Sequence, residues 1–215
     1  MKKLYFLIIF SIFLIPKTNA QEIRFSVTGG YVFDDSFDSY FDFDEFYEGT
    51  IEGGFVWSVG GEYMIWPQYG IELSYTRQDT KAPTYYFVRG DLRESFSDFD
   101  LGINYIMLGG NRYFSSAGSP VEGFLGVQGG MVIASIDNPD NGRSDSTTKF
   151  AWGVKLGGVY WATDFIGVKV QTRLMSAVQA MGGGFYFGTG GPGAGVSSYS
   201  TIYQFGFDGG IVLKI

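Results

Sequence analysis

The stretch from Tyr199 to Ile215, YSTIYQFGFDGGIVLKI, constrains this chain more than any other. Tyr199, Thr201, Tyr203, Phe205, Phe207, Gly209, Ile211, Leu213 and Ile215 form one set, and Ser200, Ile202, Gln204, Gly206, Asp208, Gly210, Val212 and Lys214 form the other. Side chains alternate faces along a strand, so the ribbon has one aromatic and aliphatic face and one mostly small or polar face. It is longer than an ordinary strand of a soluble domain. A long strand with an apolar outside suits a closed barrel whose outer wall meets lipid.

The start of the chain belongs to a different kind of segment. Lys2 and Lys3 precede an apolar run from Leu4 to Pro16, and Thr18, Asn19 and Ala20 supply a small-residue exit. The apolar run is shorter than the ~20 residues of a spanning helix. Residues 1–20 therefore read as a cleaved signal peptide, with 21–215 as one barrel domain of ordinary size. No Cys occurs in the chain, so no lipid can be attached to one after that run. Without Lys2, Lys3 and Lys17 the domain keeps 12 bases against 22 acids, a net charge of −10. Such an acidic domain is a poor partner for nucleic acid, whose phosphates need Lys and Arg.

Past residue 20 no apolar run is long enough for a transmembrane helix, so entry into a membrane requires a closed barrel that satisfies its backbone internally. Alternation marks eight strands. Their apolar sets are Ile23, Phe25, Val27, Tyr31 and Phe33; Phe55, Trp57, Val59, Tyr63 and Ile65; Ile71, Leu73 and Tyr75; and Phe99, Leu101, Ile103, Tyr105 and Met107. Then come Leu125, Val127, Met131 and Ile133; Phe150, Trp152, Val154, Leu156 and Tyr160; Ile166, Val168, Val170 and Leu174; and finally the closing stretch. Connections alternate long and short. The long ones are 34–52, 78–95, 135–148 and 177–198, and the short ones are the turns near Pro67, 114–120 and Asp164. That asymmetry is the pattern of an antiparallel up-and-down barrel with short periplasmic turns and longer outer loops. Tyr63, Trp66, Tyr69, Tyr105, Tyr113, Phe114, Tyr160, Trp161 and Phe165 gather beside the short turns, where a headgroup-level girdle is expected.

The stretches NYIMLGGNRYF, VEGFLGVQGG, WGVKLGGVYWATDFIGVKV and GGGFYFGTGG, together with the closing strand, resemble the small outer-membrane β-barrel family. This family is porin-like and related in architecture to the OmpA and OmpX barrels. The resemblance spans residues 21–215. It implies an eight-stranded all-β transmembrane barrel in the outer membrane of a Gram-negative envelope. It also implies contact with outer-membrane lipids and insertion by the barrel-insertion machinery through the C-terminal strand. Members usually end in an aromatic residue; this chain ends in Ile215.

The face assigned to the lumen sorts its charges. Glu62, Glu72, Asp100 and Glu122 come from the second to fifth strands, and Lys155, Lys169 and Arg173 from the sixth and seventh. Reflection about Pro67 sets Glu62 opposite Glu72, and Lys169, across an eight-stranded ring, is expected to bridge them with Lys155 or Arg173 beside it. Reflection about residue 117 pairs Arg112 with Glu122. At the barrel seam, Glu22 and Arg24 are expected near Lys214 and Asp208. An eight-stranded interior is just wide enough for side chains, which favours a structural plug, while a narrow pore for ions or small solutes is the alternative.

Chemistry is limited by what is missing. The chain has no His, so Ser-His or Asp-His catalysis is unavailable, and no enzyme activity, cofactor or metal is expected. The acidic segment 34–52 interleaves carboxylates with rings, and Asp38, Phe41, Asp42, Phe43, Asp44 and Glu45 form its candidate interaction surface for an extracellular partner. Its spacing lacks the Gly of a calcium loop, which points to a solvated loop. The Gly-rich 182–195 lacks the Lys and Ser/Thr of a phosphate loop and reads as a flexible outer loop.

Overall fold

The computed structural model describes residues 22–42, 45–87, 94–138, 143–178, 184–188, 191–195 and 202–215. The strands are β1 (Ile23–Val32), β2 (Asp35–Asp42), β3 (Glu45–Ile51), β4 (Gly54–Trp66), β5 (Tyr69–Phe87) and β6 (Glu94–Ser115). They continue with β7 (Val121–Asn138), β8 (Arg143–Trp161), β9 (Ile166–Val178), β10 (Gly184–Gly188), β11 (Gly191–Gly195) and β12 (Ile202–Lys214). β1, β4, β5, β6, β7, β8, β9 and β12 pair antiparallel in that order, and β12 returns to β1 along Arg24↔Lys214 to Val32↔Gly206. The ring is closed: an eight-stranded antiparallel barrel.

Long connections carry more strand than their composition suggests. β2 and β3 form a hairpin within 34–52, and β3 also pairs with β5 at Tyr47↔Tyr86 to Gly49↔Thr84. β7 and β8 pair out to Asn138↔Arg143, inside the stretch whose Asn, Asp, Gly and Pro content marked it as loop. Backbone pairing with a neighbour that is already extended outweighs weak local β-propensity there.

Alternation places the wall. On β12, Tyr203, Phe205, Phe207, Ile211 and Leu213 are exposed on the outside while Gln204, Asp208 and Val212 are buried. The expected outward sets of the other strands fall outside as well, with one exception. On β6 the set Phe99, Leu101, Ile103, Tyr105 and Met107 is buried in the lumen, and Ile106, Leu108 and Phe114 face outward. Register forces this inversion. Glu72 is lumenal and pairs with Gly109, so odd positions of β6 share its face. Across the next turn Ser119 N–H donates to Ser116 O at 3.0 Å, and Gly118 takes φ +76. Ser115 lies opposite Glu122, so the hairpin axis falls between Gly118 and Ser119 rather than on residue 117. Moving the axis by one and a half residues exchanges the two faces.

Two corrections follow. Tyr105 and Tyr113 are buried inside, and Trp161 packs against the inner cluster of Met64, Tyr113, Phe124, Val159 and Val212. The girdle beside the short turns keeps Tyr63, Trp66, Tyr69, Phe114, Tyr160 and Phe165, all exposed. Asp100 is likewise exposed and belongs to the outer face.

Candidate functional site in the barrel lumen

Polar residues cross the lumen in layers. Nearest the short turns, Arg24 on β1 donates to Glu122 Oε2 on β7 at 2.8 Å and to Glu22 Oε1 at 2.5 Å. In the ring β1 and β7 stand opposite each other, so the Arg24–Glu122 pair spans the barrel. The Arg24 guanidinium also lies 4.5 Å from the Tyr113 ring centroid and 5.1 Å from that of Trp161. Lys214 Nζ is 3.4 Å from Glu22 Oε2 and 4.0 Å from the Trp161 ring.

The next layer holds Glu62 and Glu72, directly opposite each other on β4 and β5 and both buried. Two carboxylates so placed repel unless donors separate them. Asn111 Nδ2 on β6 does this, donating to Glu62 Oε1 and Glu72 Oε2 at 2.6 Å each. Tyr113 Oη donates to Glu62 Oε2 at 2.5 Å, and Lys155 Nζ is ion-paired with Glu72 Oε2. Lys169 Nζ stands 3.8 Å from Glu72 Oε1 and 4.9 Å from the Phe124 ring. The bridge between the carboxylates is therefore Asn111, and the cation closest to Glu72 is Lys155; Lys169 flanks one carboxylate only. Glycines make the room: a Cβ on Gly60 would stand 2.8 Å from Glu72 Oε1, and one on Gly126 would stand 2.8 Å from Lys155 Cε.

Farther from the turns, Arg173 on β9 reaches Ser58 Oγ at 2.9 Å and Thr76 Oγ1 at 3.2 Å, with its Nε 3.4 Å from Asp208 Oδ2. Gln171 Nε2 donates to Asp208 Oδ2 at 3.1 Å. Above them Tyr105 Oη donates to Gln204 Oε1, and Gln204 Nε2 to Gln78 Oε1, both at 2.7 Å. β6 and β12 are again opposite strands. Around this crossing lies an apolar cluster including Phe99, Leu101, Ile103, Met107, Val132 and Ile136. In these layers Glu22, Glu62, Glu72, Glu122 and Asp208 are matched by as many bases, Arg24, Lys155, Lys169, Arg173 and Lys214. A cavity of about 20 Å³, lined in part by Ser26, Ser58, Glu72, Lys155, Lys169 and Arg173, is space for roughly one water.

Two expected groupings do not form. Arg112 lies outside the barrel, opposite Leu125, and Glu122 takes Arg24 instead; the turn axis already described puts Arg112 and Glu122 on different faces. Asp208 is not with Glu22 and Arg24 but opposite Gly30, six positions along β12 from Lys214, where Arg173 and Gln171 meet it. Of the acidic surface, Asp38, Phe41 and Asp42 fall on β2 and Glu45 on β3, with Asp42 paired to Glu45 in register. Phe43 and Asp44 lie outside the described residues. The inverted β6 face hides Asn111 from the sequence and sends Tyr113 to the girdle instead of the lumen; counting the parity of the β6–β7 turn is the signal that places both.

No protein-family model and no curated protein matches the sequence. Solved structures do. The outer membrane protein OprG from Pseudomonas aeruginosa aligns with a TM-score of 0.63 at 13% identity, covering 91% of this chain and 96% of that one. Neisserial surface protein A aligns at 0.57 and 16% identity, covering 90% and 97%. At such identities the likeness is one of fold, and the fold is that of small outer-membrane barrels.

Proposed function

We propose that residues 21–215 form an integral outer-membrane barrel, delivered by residues 1–20 as a cleaved signal and inserted by the barrel machinery through β12. Its lumen is a plug, and its role is structural or that of a scaffold presenting the long connections, including 34–52, to an extracellular partner. The observation that carries this reading is the pair of bridges between opposite strands, Arg24–Glu122 and Tyr105–Gln204, one on each side of the Glu62–Glu72 layer. Matched charges and inserted amide and hydroxyl donors fill the tube instead of lining a water path. Catalysis is no part of the reading.

The outward face supports residence in a membrane. Exposed Phe, Tyr, Trp, Val, Leu and Ile side chains cover it, from Phe25 on β1 to Leu213 on β12. A soluble barrel would not spread so much apolar area into water.

Heat-modifiable gel mobility tests the barrel: the unboiled protein is expected to run faster than the boiled one, and identical migration overturns the reading. Protease treatment of intact cells tests presentation. Cleavage within the long connection 34–52 is expected, and complete protection argues against outward display. The pore reading draws on the polar lining of the 20 Å³ cavity beside Lys155 and Lys169. Vesicles carrying the barrel should not swell in small sugars, and swelling would favour the pore.

A further inference from the structure

Arg112 is an outward-facing charge beside the short turns, which the lumen does not use. It sits on β6 beside the short turn leading to β7, among the exposed aromatic residues of the girdle. Its guanidinium carbon is 5.6 Å from the Tyr69 ring centroid and 5.1 Å from that of Phe114. Trp66 meets Tyr69 edge to face at 6.0 Å. Ring faces take up the flat sides of a guanidinium and leave its edge N–H donors free. Among the described residues no carboxylate pairs with Arg112. Among the described residues, two other outward cations have an acid at hand: Arg77 has Asp79 at 2.5 Å and Lys81 has Asp98 at 2.6 Å, both toward the long connections.

A cation on a lipid-facing wall, at headgroup level and without a protein counter-charge, needs an anion from its surroundings. We propose that Arg112, held by Tyr69 and Phe114 with Trp66 alongside, is a binding site for the headgroup phosphate of an anionic phospholipid in the leaflet at the short-turn end. The planar fork matches two phosphate oxygens, while the outward Leu108 and Leu125 offer the acyl chains an apolar wall. This inference rests on the membrane reading above. The two can fail separately, because heat-modifiable mobility reports the barrel and lipid selectivity reports the site.

Native mass spectrometry of the full domain, released from detergent containing matched amounts of phosphatidylglycerol and phosphatidylcholine, tests it. The parent is expected to retain phosphatidylglycerol about five-fold over phosphatidylcholine, the size expected for one interfacial cation. Arg112→Gln, with heat-modifiable mobility unchanged, should bring the two lipids level. Tyr69→Leu with Phe114→Leu should lower the preference without altering charge, and Lys81→Gln at the far end should leave it intact. Equal retention of both lipids by the parent overturns the site. So does a preference that survives Arg112→Gln, or one that Lys81→Gln removes equally.

Discussion

β6 and β12 carry the same kind of alternation and turn it in opposite directions. β12 sends Tyr203, Phe205 and Phe207 to the outside and keeps Gln204 and Asp208 within; β6 sends Phe99, Tyr105 and Met107 into the lumen and leaves Asn104, Leu108 and Arg112 without. The difference lies in demand rather than propensity. An eight-stranded tube still has an interior to fill. Here one strand supplies much of the bulk that the small inner faces of other strands lack, including Gly206 and Gly210 of β12 across the lumen and Gly126 and Gly130 of the adjacent β7.

That contrast can be broken at its strongest point. Phe99→Ala empties a fully buried position and should cost about 3–5 kcal/mol, read as a lower denaturant midpoint of the inserted barrel. Phe207→Ala on the outer face should cost distinctly less, because lipid chains refill the space. Equal losses would mean that the inner face of β6 packs no better than the lipid wall. Lys155→Met leaves Glu72 without its closest cation and should destabilise by about 3–5 kcal/mol, with much of the loss recovered in the double variant with Glu72→Gln. Simple additivity of the two would deny their coupling. Tyr113→Phe removes one donor to the buried Glu62 and should cost about 1–3 kcal/mol, with gel mobility unchanged; no shift in the midpoint would mean that water replaces the hydroxyl.

The smallest effect belongs to an exposed pair. Lys81 and Asp98, both part-exposed, lie toward the long connections at 2.6 Å. The hydrogen bond that Lys81 donates to Asp98, and the negative charge of Asp98, raise the Lys81 pKa above its usual 10.5. A raised lysine value means that any stability from the pair is present at neutral pH and lost only as pH climbs through that raised value. Lys81→Gln should therefore leave the midpoint at pH 7 within scatter, and a clear drop there would show the pair to be more shielded than its exposure indicates.

Most of the fold was legible in the sequence, because a two-residue period names the greasy face wherever only one face is greasy. It named the outward sets on seven strands. β6 defeated it: Phe99, Leu101 and Ile103 alternate as well as Ile106, Leu108 and Phe114, and the connection before it is too long to carry register by counting. Everything that depended on that face went astray together, from Arg112 and Asp100 to the donor Tyr113, assigned to the girdle, and the donor Asn111. By contrast, the tight turn around Pro67 let Glu62 be set against Glu72 by simple reflection. That Lys155 and Lys169 reach Glu72 across the tube was legible, but which of them comes closest was not. Whether Lys155 or Lys169 touches Glu72 depends on the clearance that Gly126 and Gly60 provide, and a linear pattern does not contain that distance.

The central claim is that β6 and the layered bridges close the lumen. Conductance of the purified barrel in a planar bilayer tests it most directly. A quiet membrane, with no reproducible steps after verified insertion, is the predicted record. Stable single-channel steps that disappear with Lys169→Ala would contradict it.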